Sequence, residues 1–307
     1  MPLGAALHRA LRAAAHLAVW AGAYVASAVV CFTQTAGLEA VPNARTLTFA
    51  FCTAAGVYLL DRVKARDAWL DPADEAAHPN RYHFLAAHAA PVRTLMVFLL
   101  CAATVLGSTL RHDLPWLGTL TPSAAALAVL VYAARPRRTR PRPKDVLLVK
   151  NLYVAAGITG FAAATAIATT TPAPLRISEL RSHAAWIIAA AIHLLVRVAA
   201  DAVLCDLDDH AADLAYGTRT LPGTLGHARA WNTALAARLV IAAALAALAL
   251  IHSAPREPLL VWSVVTALSS LALRLAAPTR VRDWVDARFL IEAAVATMVL
   301  WVLHARV

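Results

Sequence analysis

Three aspartates near residue 205 have the type and spacing of a cation-binding group. Asp206, Asp209 and Asp213 lie in the stretch CDLDDHAADLAYGTRTLP. On a helix that advances about 100° per residue, they share one face about 60° wide. Like charges on one helix face repel each other unless a cation neutralises them, and carboxylate oxygens are ligands that Mg²⁺ accepts. The spacing therefore indicates either a magnesium site or a solvated helix end.

Two further acids of the same stretch fall on the other side of this helix. Asp201 and Asp208 lie there together with Arg197, which is four residues before Asp201. Residues four apart on a helix can form an ion pair. We therefore expect an Arg197–Asp201 pair on a structural face and an unpaired face that carries the three aspartates.

The elements that must position these acids are long apolar segments. The chain has 307 residues, of which 60% are hydrophobic and only 15% are charged, whereas a soluble domain carries about 25% charged residues. Apolar runs of roughly 18 or more residues are typical of membrane-spanning helices. The sequence predicts one domain over 1–307, an all-α polytopic bundle with about nine spans at 13–34, 44–61, 91–110, 115–134, 146–168, 183–204, 229–252, 258–277 and 287–304.

The net charge of +10 is distributed between the spans. Basic residues collect in alternate loops, above all in the run ARPRRTRPRPK, which indicates topology rather than nucleic-acid binding. The positive-inside pattern predicts a cytoplasmic N-terminus, with the acidic loops near 61–75 and 201–213 on the same side. We expect a multi-pass protein of a bacterial inner membrane, with membrane lipid as a partner and no nucleic acid.

The stretch from Arg197 to Gly226 resembles the second aspartate-rich motif of the UbiA superfamily of intramembrane prenyltransferases. The resemblance rests on eight positions, Asp206, Asp209, Asp213, Gly217, Thr220, Leu221, Pro222 and Gly226. It implies a UbiA-like bundle whose aspartates bind Mg²⁺ as cofactor. It also implies a polyprenyl diphosphate donor and a hydrophobic prenyl acceptor that enters from the membrane.

The first motif of the family, NDxxDxxxD, is degenerate in this chain. Asp61 matches the central aspartate, but Val57, Tyr58 and Ala65 stand at the positions of the other polar residues. In one interpretation Asp61 still binds metal, and a loop acid such as Asp67 supplies further oxygens. In the other, Asp61 pairs with a lysine three residues on and the loop acids are solvated.

Three cationic residues are candidates for binding the diphosphate. The segment PKDVLLVKNLYVAAGITG is similar to a lysine-bearing segment of the family, which implies roles for Lys144 and Lys150. An ammonium just inside an apolar segment, as expected for Lys150, needs an anion. Arg219, within the second motif, either contacts diphosphate or is an ordinary loop charge. The histidines at 78, 83 and 88 lack a metal-binding spacing, and we interpret them as loop and interfacial residues.

Together with these residues, the resemblance implies Mg²⁺-dependent transfer of a prenyl group from a polyprenyl diphosphate to an apolar, aromatic or lipid-like acceptor. Two alternatives remain open at this point. One is a terpene cyclase built on the same bundle, in which the carbocation is captured within its own chain. The other is a non-catalytic homologue that binds or transports prenyl lipids.

Overall fold

The computed structural model describes residues 13–38, 41–63, 72–111, 113–133, 146–170, 177–215, 217–252, 255–275 and 281–305. Within these ranges every regular element is helical, which confirms the all-α prediction. The helices are α1 Val19–Thr35, α2 Ala44–Val63, α3 Pro72–Ala77, α4 Pro79–Ala87, α5 Ala89–Leu110, α6 Trp116–Ala133, α7 Val149–Thr170, α8 Ile177–Ala215, α9 Leu221–Leu225, α10 His227–Ile251, α11 Arg256–Leu275 and α12 Val281–His304.

Each predicted span falls on one of the long helices among the described residues. Five helical segments are long and apolar enough to cross a membrane: Ala89–Leu110, Val149–Thr170, Arg181–Ala211, His227–Ile251 and Arg256–Leu275. The chain is therefore an integral membrane protein. The number of nine crossings and their orientation stay predictions. The short helices α3, α4 and α9 were not expected from the sequence.

Helix α1 is the centre of the bundle. It packs against α2, α7, α8, α11 and α12, and most of its residues are buried. One apolar core joins α1 to α7, α8, α10, α11 and α12, and a second joins it to α2, α4 and α5. Because α1 belongs to both cores, it connects the two halves of the bundle.

Local sequence signals set the ends of the helices around the candidate site. The side chain of Asn43 accepts a hydrogen bond from the amide of Thr46 at 2.9 Å, which caps the start of α2. At the end of α8, the amide of Thr218 bonds to the carbonyl of Asp213 at 2.8 Å, and Gly217 has a φ of +73°. This is a Schellman turn, and the left-handed residue that it requires explains Gly217.

Helix α8 is longer than the predicted span 183–204. It has 39 residues, or about 58 Å at 1.5 Å per residue, whereas a bilayer core is about 30 Å thick. The helix therefore continues beyond the apolar segment to Ala215. As a result, all three aspartates of the candidate cation-binding face lie on the helix and keep the spacing of helical residues.

Helices α5 and α6 approach each other closely at two glycines. A Cβ atom built on Gly118 would lie 2.3 Å from the carbonyl oxygen of Thr104 and 2.2 Å from the amide nitrogen of Ser108. A Cβ atom on Gly107 would lie 2.4 Å from the Cα of Gly118. Both positions must be glycine at this separation of the two helices.

We expect Gly118→Ala to lower the thermal stability of the purified protein, because the added methyl group forces α5 and α6 apart. Overpacking of this kind costs about 1–3 kcal/mol. Gly157→Ala on α7 is the matched control, because its methyl group would meet open space and alanine is the better helix former. Thermal melts of both variants in detergent check the prediction. An unchanged melting temperature for Gly118→Ala would contradict the close packing.

Candidate active site

A cavity of about 730 Å³ lies among α1, α2, α6, α7, α8 and α12. Its side walls are mainly apolar, with small residues on α6 and α7 and aromatic rings at Tyr58, Tyr132 and Tyr153. Its charged lining residues, counted over the described part of the chain, are Asp61, Arg62, Arg81, Lys150, Asp201, Asp206, Asp209, Asp213 and Asp286. Acids outnumber cations in this wall, so the cavity favours a bound cation.

Lys150 is the centre of the acidic group on α8. Its ammonium lies 2.8 Å from Oδ1 of Asp206 and 3.2 Å from Oδ2 of Asp213. The amide of Asn151, the next residue on α7, donates to the other oxygen of Asp206 at 2.9 Å. The sequence predicted an anion for Lys150 but described the three-aspartate face as unpaired. That second prediction is wrong, because α7 supplies both a cation and an amide to this face.

The third aspartate of the face contacts a histidine. Nε2 of His78 lies 2.7 Å from Oδ1 of Asp209. His78 immediately precedes α4, and it connects the segment that follows α2 to the end of α8. His78 lies in the connection between α3 and α4, as the interpretation of it as a loop residue expected. Its contact with Asp209 was not predicted, because its spacing from the other histidines carries no signal of such a contact.

The degenerate first motif faces the same cavity. Val57, Tyr58 and Asp61, at the end of α2, all line it. Asp61 therefore lines the same cavity as Asp206, Asp209 and Asp213. Two positions that are polar in the family carry an aliphatic side chain and a phenol at this wall.

The remaining predicted residues are placed differently. Arg219 is exposed and is not among the lining residues of the cavity. Asp67 and Lys144 lie outside the described residues. Two further charged residues of the cavity wall were not predicted from the sequence. They are the cation Arg81 and the acid Asp286, which lies near the start of α12.

The segment that follows the aspartates is a structural connector. Gly217 ends α8, and Thr220 caps the short helix α9, where its hydroxyl accepts from the amide of Gly223 at 3.4 Å. Pro222 lies in the first turn of α9. Gly226 has φ +80° and ψ 158°, a backbone conformation available essentially only to glycine. The geometry of these turns therefore explains why these residue types follow Asp213 at this spacing.

The acids lie in one cavity but do not form a closed metal cage. Among the described residues, no group of three His, Cys, Asp or Glu side chains is arranged to hold one ion. Mg²⁺ in sites that bind phosphates needs only one or two carboxylates, since water and phosphate oxygens complete its shell. The carboxylates of Asp61, Asp206, Asp209 and Asp213 fit such an open donor set.

The electrostatics of Asp213 are those of an acid held in an apolar, acidic place. Burial raises the pKa of its carboxyl to about 6 from the ordinary value of 3.8. Lys150 acts in the opposite direction, while Asp209 and Asp206 raise the pKa further. A further cation beside Asp213 would lower the free-energy cost of its ionised carboxylate. The site is therefore suited to a metal ion.

The other face of α8 belongs to a buried charge network and not to the expected pair. Arg197 forms its ion pair with Glu292. Asp201 pairs with Arg238 at 2.5 Å and with Arg288 at 2.8 Å. The expected Arg197–Asp201 pair is therefore wrong, because α10 and α12 supply nearer partners.

Solved structures from Aeropyrum pernix and Archaeoglobus fulgidus have the same fold. A UbiA homologue from Aeropyrum pernix K1, in its apo form, superposes with a TM-score of 0.61 at 14% identity, over 90% of this chain and 97% of that one. A UbiA homologue from Archaeoglobus fulgidus bound to GPP and Mg²⁺ superposes with a TM-score of 0.59 at 15% identity, over 94% and 98%.

The same Archaeoglobus protein bound to DMAPP and Mg²⁺ gives a TM-score of 0.58 at 15% identity, with the same coverage. No protein-family model and no curated protein sequence matches the chain. The similarity of this chain to the UbiA homologues therefore rests on the three-dimensional fold. The chain has the UbiA fold, as the resemblance of its second motif implied.

We expect the stability of the metal-free protein to depend on pH through Asp213. Its pKa is raised on folding from 3.8 to about 6, so the ionised carboxylate destabilises the fold fully above about pH 6. This cost decreases as the pH falls below about 6 and is lost only below the ordinary pKa of 3.8. In EDTA at pH 7.5, Asp213→Asn should therefore melt at a higher temperature than the wild type, and the difference should shrink at pH 5.5.

Thermal melts at the two pH values measure this difference. Asp208→Asn, a neighbouring acid of α8 that is not among the lining residues, is the matched control and should not reproduce the pattern. An Asp213→Asn variant that melts at a lower temperature at pH 7.5 would contradict the burial cost.

Proposed function

We propose that the chain is a single-domain member of the UbiA superfamily that transfers a prenyl group from a prenyl diphosphate to a hydrophobic acceptor, with Mg²⁺ as cofactor. The observation that carries this proposal is the shared cavity of Asp61, Asp206, Asp209, Asp213 and Lys150. The binding of GPP, DMAPP and Mg²⁺ by a protein of the same fold supports it.

In this proposal the acids bind the diphosphate through Mg²⁺, and the lysine binds it directly. Asp209 and Asp213, with Asp206 and Asp61, would hold Mg²⁺, and loop acids such as Asp67 would add to them. The bound ion would neutralise charge that develops on the diphosphate as a Lewis acid. The ammonium of Lys150, which pairs with Asp206 and Asp213, would then donate to the diphosphate oxygens.

The apolar part of the cavity would protect the reaction from water. An allylic carbocation reacts with water, so its surroundings must be dry. The walls formed by α6 and α7 consist largely of small and aliphatic side chains, and the rings of Tyr132 and Tyr153 stack there at 5.2 Å between centroids. Aromatic faces of this kind attract cations.

The membrane supplies the route for both substrates in this proposal. The cavity is part of a bundle with several helices apolar enough to cross a membrane, so an isoprenoid tail and an apolar prenyl acceptor can enter without passing through water. The proposed orientation places the N-terminus and the aspartates on the cytoplasmic side of a bacterial inner membrane, in keeping with the positive-inside distribution of the basic residues.

The experiment that tests the proposal compares two adjacent acids of α8. Asp209→Asn should lower the Mg²⁺-dependent release of diphosphate from GPP roughly 100-fold or more, because a ligand of the charge-neutralising ion is lost. Asp208→Asn is the control, since Asp208 is not among the residues that line the cavity. EDTA should abolish turnover by the wild-type protein in the same assay.

Two outcomes of this assay would count against the proposal. One is turnover that persists in EDTA, and the other is equal turnover by the Asp208 and Asp209 variants. Analysis of the product made from donor alone separates transfer from cyclisation, because a cyclic hydrocarbon or alcohol requires no second substrate. Binding of GPP with no release of diphosphate in the presence of any acceptor would favour a non-catalytic binding protein.

We further expect Gly157 to influence which donors are used. It lines the cavity, and a Cβ atom at this position would meet open space. Gly157→Phe should therefore fill part of the cavity and lower the turnover of geranylgeranyl diphosphate more than that of GPP. Leu152→Phe is the control, because Leu152 is exposed on the same helix and does not line the cavity. Equal losses for both donors would show that this wall does not contact the tail.

A further inference from the structure

A network of five charged side chains is buried beside the deep part of the cavity. It consists of Arg197, Asp201, Arg238, Arg288 and Glu292, all of which are less than a tenth exposed. Arg238 bridges the two acids, with 2.5 Å to Asp201 and 3.3 Å to Glu292, and Arg288 does the same at 2.8 Å and 2.9 Å. Ionisable groups inside a membrane protein are costly, and for this reason they usually have a functional role.

One member of the network also faces the cavity. Asp201 is among the lining residues, and so is Tyr24 of α1, whose hydroxyl donates to Oδ2 of Asp201 at 2.9 Å. Among the described residues, the three arginines and Glu292 are not part of the cavity wall. The network therefore presents a single carboxylate and a phenol to whatever occupies this part of the cavity.

The hydrogen bonds of this pair determine what it can bind. Two guanidiniums donate to Oδ1 of Asp201, which keeps the group an anion that can only accept hydrogen bonds. The hydroxyl hydrogen of Tyr24 is used on Oδ2. What remains available on the cavity side is a set of oxygen lone pairs. A ligand group with an O–H or N–H hydrogen matches this set, and an ether or an anion does not.

The position of the pair along α8 fits one end of a second substrate. Asp201 precedes Asp206 by five residues and Asp209 by eight, or about 7.5 and 12 Å along the helix axis. The proposed diphosphate site lies at the aspartates. A small aromatic molecule anchored at Asp201 would therefore reach towards the reactive end of the donor.

We propose that Tyr24 and Asp201 form a binding subsite for the hydroxyl or N–H group of the prenyl acceptor. This inference rests on the proposed function, and it adds a substrate class: acceptors that carry a free hydrogen-bond donor at the end remote from the donor diphosphate. Arg238 and Arg288 act as positioning residues, because they fix the carboxylate of Asp201 without touching the ligand.

Two probes that differ by one hydrogen-bond donor test this subsite. The protein in lipid nanodiscs is dialysed against 1-naphthol or 1-methoxynaphthalene, with empty nanodiscs as the blank. The wild type should bind 1-naphthol at least about tenfold more tightly, as expected for a hydrogen bond to a charged group. Tyr24→Phe should keep this preference, since Asp201 still accepts. Tyr153→Phe, which removes a hydroxyl group from the part of the cavity wall formed by α7, should keep it as well.

Replacement of the carboxylate should remove the preference. Asp201→Asn can donate to the oxygen of Tyr24, which frees the phenol to donate into the cavity, so the methyl ether should bind as well as 1-naphthol. The double variant Asp201→Asn with Arg288→Gln keeps the formal charge of the network unchanged and serves if the single variant does not fold. Equal binding of both probes by the wild type, or a preference that survives in either folded Asp201 variant, would overturn the subsite.

Binding of GPP with Mg²⁺ to the same samples separates this inference from the function on which it rests. If GPP binds and the probes are not distinguished, only the acceptor subsite is wrong. If the wild type binds no GPP, the proposed function itself fails. Folded Asp201 variants should bind GPP as the wild type does, and a loss of GPP binding that accompanies the loss of preference would show a structural role instead.

Discussion

The ion pairs between Lys150 and two aspartates are the interaction on which the rest of the candidate site depends. Acids at the end of an apolar helix repel each other and lose solvation, so they can share a face only if a cation is held among them. Helix α7 supplies that cation to Asp206 and Asp213. It also supplies the amide of Asn151 to Asp206. The pairing joins α7 to α8. It also keeps the carboxylates of Asp206 and Asp213 together, where a divalent ion could bind them in place of Lys150.

The same cavity reaches a second, quite different polar environment. At the aspartate end, acids exceed cations and the described side chains leave room for water and phosphate oxygens. At the deep end, Asp201 is fixed by Arg238 and Arg288 inside the bundle. The first environment suits a metal ion and the charged diphosphate group of the donor. The second suits a neutral group that arrives from lipid. Each end of the cavity would therefore bind a different substrate.

The sequence predicted much of the fold and only part of the site. Hydropathy located every long helix, and a helical period correctly placed Asp206, Asp209 and Asp213 on one face that lines the cavity. The same period placed Asp201 on the opposite side, yet Asp201 also lines the cavity. The reason is that the cavity face of α8 is wider than the acidic face and includes Asp201 at its margin. Contacts across helices, such as that of His78 with an aspartate 131 residues away, leave no trace in local spacing.

The buried charges are a different case, since the sequence itself carries a signal for them. Arg238 and Glu292 lie within predicted spans, where an ionisable residue by itself indicates a polar partner or a function. Which residues pair with which could still not be read, because pairing depends on how α8, α10 and α12 are arranged. Helix order along the chain does not determine that arrangement.

The most direct measurement is the anomalous scattering of Mn²⁺, used in place of Mg²⁺, in crystals of the protein grown with GPP. We expect an ion bound to carboxylate oxygens of Asp209 or Asp213, with the diphosphate between that ion and the ammonium of Lys150. A diphosphate bound elsewhere in the bundle, or an ion held away from the α8 aspartates while GPP occupies the cavity, would contradict it.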